Sequence, residues 1–401
     1  MAACSIRSRR LPNRSIGSAR DSVALRRAVL REVALDLVEP FETSFGVERR
    51  RRFLLLELES RDGLVGWGEC AAAREPRYSS ETVGTARETL GRLLPALLSP
   101  EPVSLAAFHA RADRYRGHAM AKATVETALI DLLARARGCS IAEWLGGRRR
   151  RVEVGVSVGI HPTPDALVRR VGAYLDDGYR RVKLKVRPGW DDVPVGAVRR
   201  AYPDLEIWVD ANQAYPTTAA ADIRRWASAH RVAQVEQPFA ERAVRAHADL
   251  ARHAPFRVCL DESIVDRPSL EDAIRARALT SLNVKTSRVG GLTAARELAR
   301  LAAIAGVPAW VGGMLESGVG RAHNVHLASL GPFTLPGDLS ASGRYYRTDL
   351  VDPPFVLRPG STLEVPRSPG IGVEVVPAAL RRATRWTRTW TVGGGGHSAR
   401  S

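Results

Sequence analysis

Between Arg180 and Arg288, short apolar runs end repeatedly on a charged residue: Arg181-Val-Lys-Leu-Lys185, Ile207-Trp-Val-Asp210, Val235-Glu236, Val258-Cys-Leu-Asp261 and Leu282-Asn-Val-Lys285. The closing charges stand 25, 26, 25 and 24 residues apart, the length of one strand, one helix and two loops. Helical patterns occupy the intervals, for example over 164–178, 217–230 and 292–305. Strands that alternate with helices imply a parallel sheet with helices outside it. A compact barrel fits between residues 148 and 345, with Val152 to Val158 as its first strand.

Upstream the period changes. Alternation over 30–38, then Phe53 to Ser60 and Leu64 to Trp67 around Arg61-Asp-Gly63, predicts strands and a hairpin. An irregular, aromatic-bearing loop is expected from Glu39 to Gly46. Helices are expected from a Ser80-Glu81 cap to Leu98, over 105–114, and from Ala119 to Arg137 before Gly138. Residues 29–147 thus read as an α+β domain. Residues 1–28, rich in Arg and Ser without periodicity, read as a disordered basic extension. The strand-like segment 346–377 is expected to return to the first domain, and 378–401 to be a frayed tail.

Charge adds little to this division. The net charge of +17 comes from arginines spread along the chain. Its dense runs, Arg49 to Arg52 and Arg148 to Arg151, lack the interleaved aromatic residues of a single-strand binding surface. No nucleic-acid partner is expected. The four cysteines, Cys4, Cys70, Cys139 and Cys259, form no CxxC pair, which argues against zinc and against a disulfide framework. Reduced thiols fit a cytoplasmic protein. No apolar core of signal-peptide length follows Arg9-Arg10, and no apolar run is long enough to span a membrane.

Charged residues at the C-terminal ends of parallel barrel strands face one mouth. Singly, Asp210, Glu236 or Asp261 would serve as a helix cap or turn residue. Three acids at one period, each after a strand that should be buried, carry a different implication. A buried unpaired carboxylate costs several kcal/mol, and a hard divalent cation, Mg²⁺ or Mn²⁺, removes that cost. The chain has only four lysines, Lys122, Lys183, Lys185 and Lys285, and three fall at these strand ends. Lys183 and Lys185 are two apart and share a face; the helix-packed outer face cannot hold two ammonium groups, so they point inward. Lys285 arrives across the mouth. A cation beside an amine favours its neutral form, so Lys185 is expected to act as a base.

The motifs Lys183-x-Lys185, Asp210-Ala-Asn212, Glu236-Gln-Pro238, Asp261-Glu-Ser263 and Asn283-Val-Lys285 resemble the signature of the enolase superfamily, muconate-cycloisomerase subgroup. Gly312-Gly-Met-Leu-Glu-Ser317 and Pro336-Gly-Asp-Leu-Ser-Ala-Ser342 extend the resemblance. Pro40 to Gly46, Gly66-Trp-Gly-Glu-Cys70 and Tyr78-Ser-Ser80 resemble the branch of o-succinylbenzoate synthases and N-acylamino acid racemases. The resemblance implies an α/β fold: a modified (β/α)7β TIM-type barrel under an N-terminal α+β capping domain. It implies Mg²⁺ (or Mn²⁺) on Asp210, Glu236 and Asp261, with Lys185 and Lys285 on opposite faces of the substrate α-carbon and Lys183 beside them. Asn212 and Glu262 are expected to support the ligands. Phe41, Ser44, Phe45, Tyr78, Ser157, Gly312 and Met314 are expected around a small carboxylate substrate, and the chain is expected to form a homo-oligomer. The implied reaction is dehydration of SHCHC, a succinyl-hydroxycyclohexadiene carboxylate, to o-succinylbenzoate on the way to menaquinone; racemisation of N-acyl or N-succinyl amino acids is the alternative. Dipeptide epimerases carry Asp-x-Asp at the last strand, whereas here Asp338 is followed two residues on by Ser340.

Overall fold

The computed structural model describes residues 21–400; most of the expected N-terminal extension lies outside them. The part of it that is described is not disordered. Strand β1 (Leu25–Thr43) already begins there, with Leu25 and Ala28 fully buried. It pairs antiparallel with β2 (Gly46–Ser60), and β3 (Val65–Cys70) lies along β2. The stretch expected as an irregular loop, 39–46, is the tip of this hairpin: Phe41 opposes Glu48 and Thr43 opposes Gly46, beyond a register shift that starts at Asp36. Such a shift bends a strand, and the tip reaches the second domain, where the Ile160 N–H donates to the Glu42 carbonyl at 2.9 Å.

Helices α1 (Val83–Leu97), α2 (Leu105–Ala112) and α3 (Ala119–Arg137) share one apolar core with this sheet, and α4 (Ile141–Leu145) follows. Thr82, not Ser80-Glu81, caps α1. Glu81 instead accepts from the Met120 and Ala121 N–H groups at the start of α3, both at 2.8 Å. Helix α3 lies directly on the β3 backbone, where Gly66 and Gly68 leave no room for a Cβ.

The second domain is a parallel sheet in chain order: β4 (Val156–Val158), β5 (Arg181–Lys185), β6 (Glu206–Asp210), β7 (Gln234–Glu236), β8 (Arg257–Leu260), β9 (Ser281–Val284) and β10 (Ala309–Val311). The extended stretch 333–338 bridges its two edges, Phe333 beside Ala309 and Gly337 beside Val154, and so closes the barrel. Helices α5 (Pro164–Asp176), α6 (Asp192–Ala201), α7 (Ala220–Ala229), α8 (Val244–His253), α9 (Arg267–Arg275), α10 (Leu292–Ile304) and α11 (Gly318–Ala328) complete the units. The first expected strand, 152–158, is split. Arg151–Glu153 pairs antiparallel with Thr362–Glu364, and only Val156–Val158 joins the barrel. Gly155 between them sits against the Arg181 guanidinium, where a side chain would collide.

Side chains alternate along the staves as a pleat requires. Val182, Leu184, Ile207, Val209, Val235, Val258, Leu260, Leu282 and Val284 belong to the main apolar core with the surrounding helices. Trp208, Cys259 and Trp310 form a separate cluster on the alternate positions, inside the barrel. This alternation places Lys183 and Lys185 inward.

Helix α12 (Pro377–Ala383) leads into β11 (Thr384–Thr391) and β12 (Gly394–Arg400). The tail expected to fray therefore extends the first domain's sheet. Strand β11 pairs along β1, and Trp390 is buried on it; an exposed edge of unpaired backbone is what such a strand satisfies. The preceding segment touches both domains: Thr362–Glu364 pairs with Arg151–Glu153, and the Ile371 N–H donates to Asp131 Oδ1 at 2.8 Å.

Candidate active site

The inward charges meet at the C-terminal mouth. Five adjacent positions carry Lys185, Asp210, Glu236, Asp261 and Lys285 in that order, so the three acids lie between the two amines. Lys185 Nζ donates to Asp210 Oδ2 at 2.7 Å and to Asn212 Oδ1 at 2.6 Å. Lys285 Nζ donates to Asp261 Oδ2 at 2.7 Å and stands 4.4 Å from the centre of the Tyr78 ring. Lys183 lies deeper, between Glu236 (2.7 Å) and Asp338 (2.6 Å). All three acids are at most 1% exposed.

Burial and charge oppose each other here. Burial alone would raise the Asp210 carboxyl, but Lys185 and Lys183 hold it at about 2. Glu236 is raised instead, first by burial and then by the charge of Asp210. Glu262 is pushed up to about 7 by burial and again by Asp210. Burial would favour neutral Lys183 and Lys285; the surrounding acids, with Tyr78 beside Lys285, reverse this and keep both amines charged.

Supporting contacts fix the acids. Asn212, at φ 45°, donates its N–H to Asp210 Oδ1 (3.0 Å) and its side chain to Glu262 Oε1 (3.0 Å). Asn283 Nδ2 donates to Glu236 Oε1 at 2.6 Å. The Gln237 side-chain carbonyl accepts from the Asp261 N–H at 2.9 Å.

As disposed here, each acid is drawn to an ammonium, and among the described residues no three His, Cys, Asp or Glu side chains are grouped to ligate one ion. The fit to a divalent cation rests on the chemistry of the donors. Asp210, Glu236 and Asp261 are oxygen donors on adjacent staves, the charge of Asp210 raises both Glu236 and Glu262, and the Glu262 Oε2 atom beside them is buried without a hydrogen-bond partner. That is a hard-cation donor set.

A cavity of about 500 Å³ lies over this floor, between barrel and capping domain. Of the expected substrate contacts, Phe41, Phe45, Tyr78, Ser157 and Met314 line it, with Lys183, Lys185, Asn212 and Lys285. Ser44 and Gly312 are not among its lining residues. Ser44 Oγ ties the hairpin tip to the Asn212 carbonyl at 3.4 Å. Gly312 packs against the Asn283 amide, with no space for a Cβ.

Three residues were given no site role by the sequence. Arg288 binds Asp261 Oδ1 and donates to the Tyr78 hydroxyl at 3.0 Å. Arg181, 4.3 Å from the Trp208 ring centre, donates to Asp338 Oδ1 at 2.6 Å. Asp338 thereby joins Arg181, Lys183 and Ser157 Oγ (2.9 Å). The signal for Arg181 was present, two positions before Lys183 on the inner face; Arg288 lies beyond the strand, where no pattern points to it.

Two family descriptions match these two domains: the mandelate racemase/muconate lactonizing enzyme N-terminal domain over residues 26–146, and the enolase C-terminal domain-like family over 166–379. The chain belongs to the enolase superfamily. It is 46% identical over 357 residues to an N-succinylamino acid racemase of an Amycolatopsis species, covering 88% of this chain and 96% of that protein. It is 41% identical over 364 residues to an o-succinylbenzoate synthase of Geobacillus kaustophilus, covering 90% and 96%. A solved enolase-superfamily structure from Listeria innocua superposes with a TM-score of 0.87 at 35% identity, covering 92% of this chain and 100% of that one.

Proposed function

We propose that the chain removes the proton α to a metal-bound carboxylate, and that it dehydrates SHCHC to o-succinylbenzoate, a step toward menaquinone. The observation that supports this reading is the pair of amines, Lys185 and Lys285, at either end of a buried row of acids under one cavity. Asp210, Glu236 and Asp261 would hold a Mg²⁺ ion, which would supply Lewis-acid charge for the substrate carboxylate and for the second negative charge that develops as the α-proton leaves. Lys185 takes that proton and returns it to the departing hydroxyl, so water is the leaving group and the amine is regenerated. Lys285 stabilises the enediolate from the opposite face with its charge. The hairpin tip, through Phe41 and Phe45, and Tyr78 exclude water from the mouth.

A second reaction on the same residues is racemisation of N-succinylamino acids. It is favoured by the name of the 46% identical relative and by the presence of an amine on each side: one removes the proton and the other delivers one. The apolar wall of Phe41, Phe45, Met314 and Tyr345 suits a ring in the first case and an apolar side chain in the second.

The test is to assay the purified protein with Mg²⁺ on SHCHC and on N-succinyl-leucine side by side. Turnover of SHCHC supports the proposed dehydration, turnover of N-succinyl-leucine alone favours the second reading, and failure on both defeats the substrate assignment.

A further inference from the structure

Anion-attracting groups lie at two levels of the cavity. The amines stand on its floor. At its rim six arginines of the capping domain, Arg49, Arg50, Arg51, Arg52, Arg74 and Arg77, line the wall against two glutamates, Glu48 and Glu75. Four of the six are engaged: Arg50 by Asp36 at 2.5 Å, Arg52 by Glu32 at 3.5 Å, Arg51 by the Ala71 carbonyl, and Arg77 by the Phe45 carbonyl. Arg49, Arg74 and Arg77 have no carboxylate partner among the described residues. Arg77 is nevertheless placed. Its Nη1 donates to the Phe45 carbonyl at 2.8 Å and crosses the hairpin turn at Gly46. That glycine has φ +150°, and a Cβ there would come within 2.6 Å of the same nitrogen. The turn thus leaves open the space that the guanidinium fills. Between the two levels the wall is apolar, with Phe41, Phe45, Met314 and Tyr345.

We propose that this rim, with Arg77 seated on the hairpin tip and Arg74 beside it, binds a second carboxylate of the substrate, the distal one of a succinyl arm whose other end sits on the barrel floor. The inference rests on the reading of the floor as the site for the reacting carboxylate, and it makes the rim the determinant of succinyl against uncharged acyl groups. It is independent of whether the floor dehydrates or racemises, because both substrates carry the same arm. A guanidinium suits the role: it stays charged at every working pH and offers paired donors to a carboxylate.

The experiment is titration calorimetry of the Mg²⁺-loaded full chain with o-succinylbenzoate and with o-butanoylbenzoate, in which a methyl group replaces the distal carboxylate. The wild type is expected to bind the succinyl ligand at least about tenfold more tightly. Added salt should shrink that preference. Arg77→Ala and Arg74→Ala should each weaken the succinyl ligand while leaving the butanoyl ligand within about twofold, with Arg77→Lys recovering part of the loss. Equal affinity of the wild type for both ligands overturns the rim proposal alone. Equal weakening of both ligands in the variants also overturns it, because a merely structural role would act on both. Binding of neither ligand by the wild type overturns it together with the reading of the floor.

Discussion

Lys285 and Lys183 are both buried amines kept charged by acids, yet they face different surroundings. Lys183 is enclosed by Glu236 and Asp338 and lies over the Trp310 ring at 4.7 Å, which makes it a counter-ion of the floor. Lys285 donates to a single acid, Asp261, and like Lys183 it borders the cavity. Lys285→Arg keeps the charge but cannot release a proton. Racemisation should therefore fall by about 10²-fold or more, while dehydration retains a measurable share; parallel polarimetric and absorbance assays decide this. Equal full activity in both assays would contradict the assigned roles. Asp338 tests the floor itself. Burial would raise its carboxyl, but Lys183 and Arg181 hold it well below the usual range. Asp338→Asn leaves two buried cations undercompensated and should destabilise the fold by about 3–5 kcal/mol, read as a lower urea midpoint. Lys183 and Lys185 were legible because alternation assigns them a face. Arg181 obeys the same alternation, but it opens its strand rather than closing it, so the period of strand-end charges does not include it.

Among the elements, α11 joins the domains. Glu69 on β3 accepts from the Ser317 N–H (3.0 Å), the Ser317 hydroxyl (2.5 Å) and the Gly320 N–H (3.0 Å) at its start. Further along, His326 Nδ1 accepts from the Ala142 N–H at 3.2 Å and its Nε2 faces the Ile371 carbonyl at 3.0 Å. That pairing requires the neutral ring, and burial lowers His326 to about 4. Below about pH 6.5 the unfolded chain binds a proton that the folded chain refuses, so stability falls as the pH drops from there toward about 4. His326→Gln keeps an acceptor and a donor without a titrating group. It should flatten the acid-side slope of stability by up to about 1.4 kcal/mol per pH unit, measured as urea midpoints across that window. Element types in the barrel were legible because each unit repeats a local period. The hairpin tip and the C-terminal strand were not, because their form depends on distant partners: the tip on Ile160 and Asn212, and β11 on the free edge of β1.

For the whole molecule, the cavity exists only where the capping domain meets the barrel, so chemistry and closure belong to different domains. Chelation should abolish turnover and added Mg²⁺ should restore it, with the fold retained by circular dichroism; activity that survives EDTA would remove the cation from the account. The central claim is that Lys185 and Lys285 address opposite faces of one α-carbon. Its most direct test is exchange of the α-proton of N-succinyl-D- and N-succinyl-L-leucine in D₂O with Mg²⁺, followed by proton NMR in the wild type, Lys185→Ala and Lys285→Ala. The expected result is exchange of both enantiomers by the wild type and of one enantiomer only by each variant, the opposite one in each case. Exchange of both enantiomers by either variant, or of the same one by both, would contradict it.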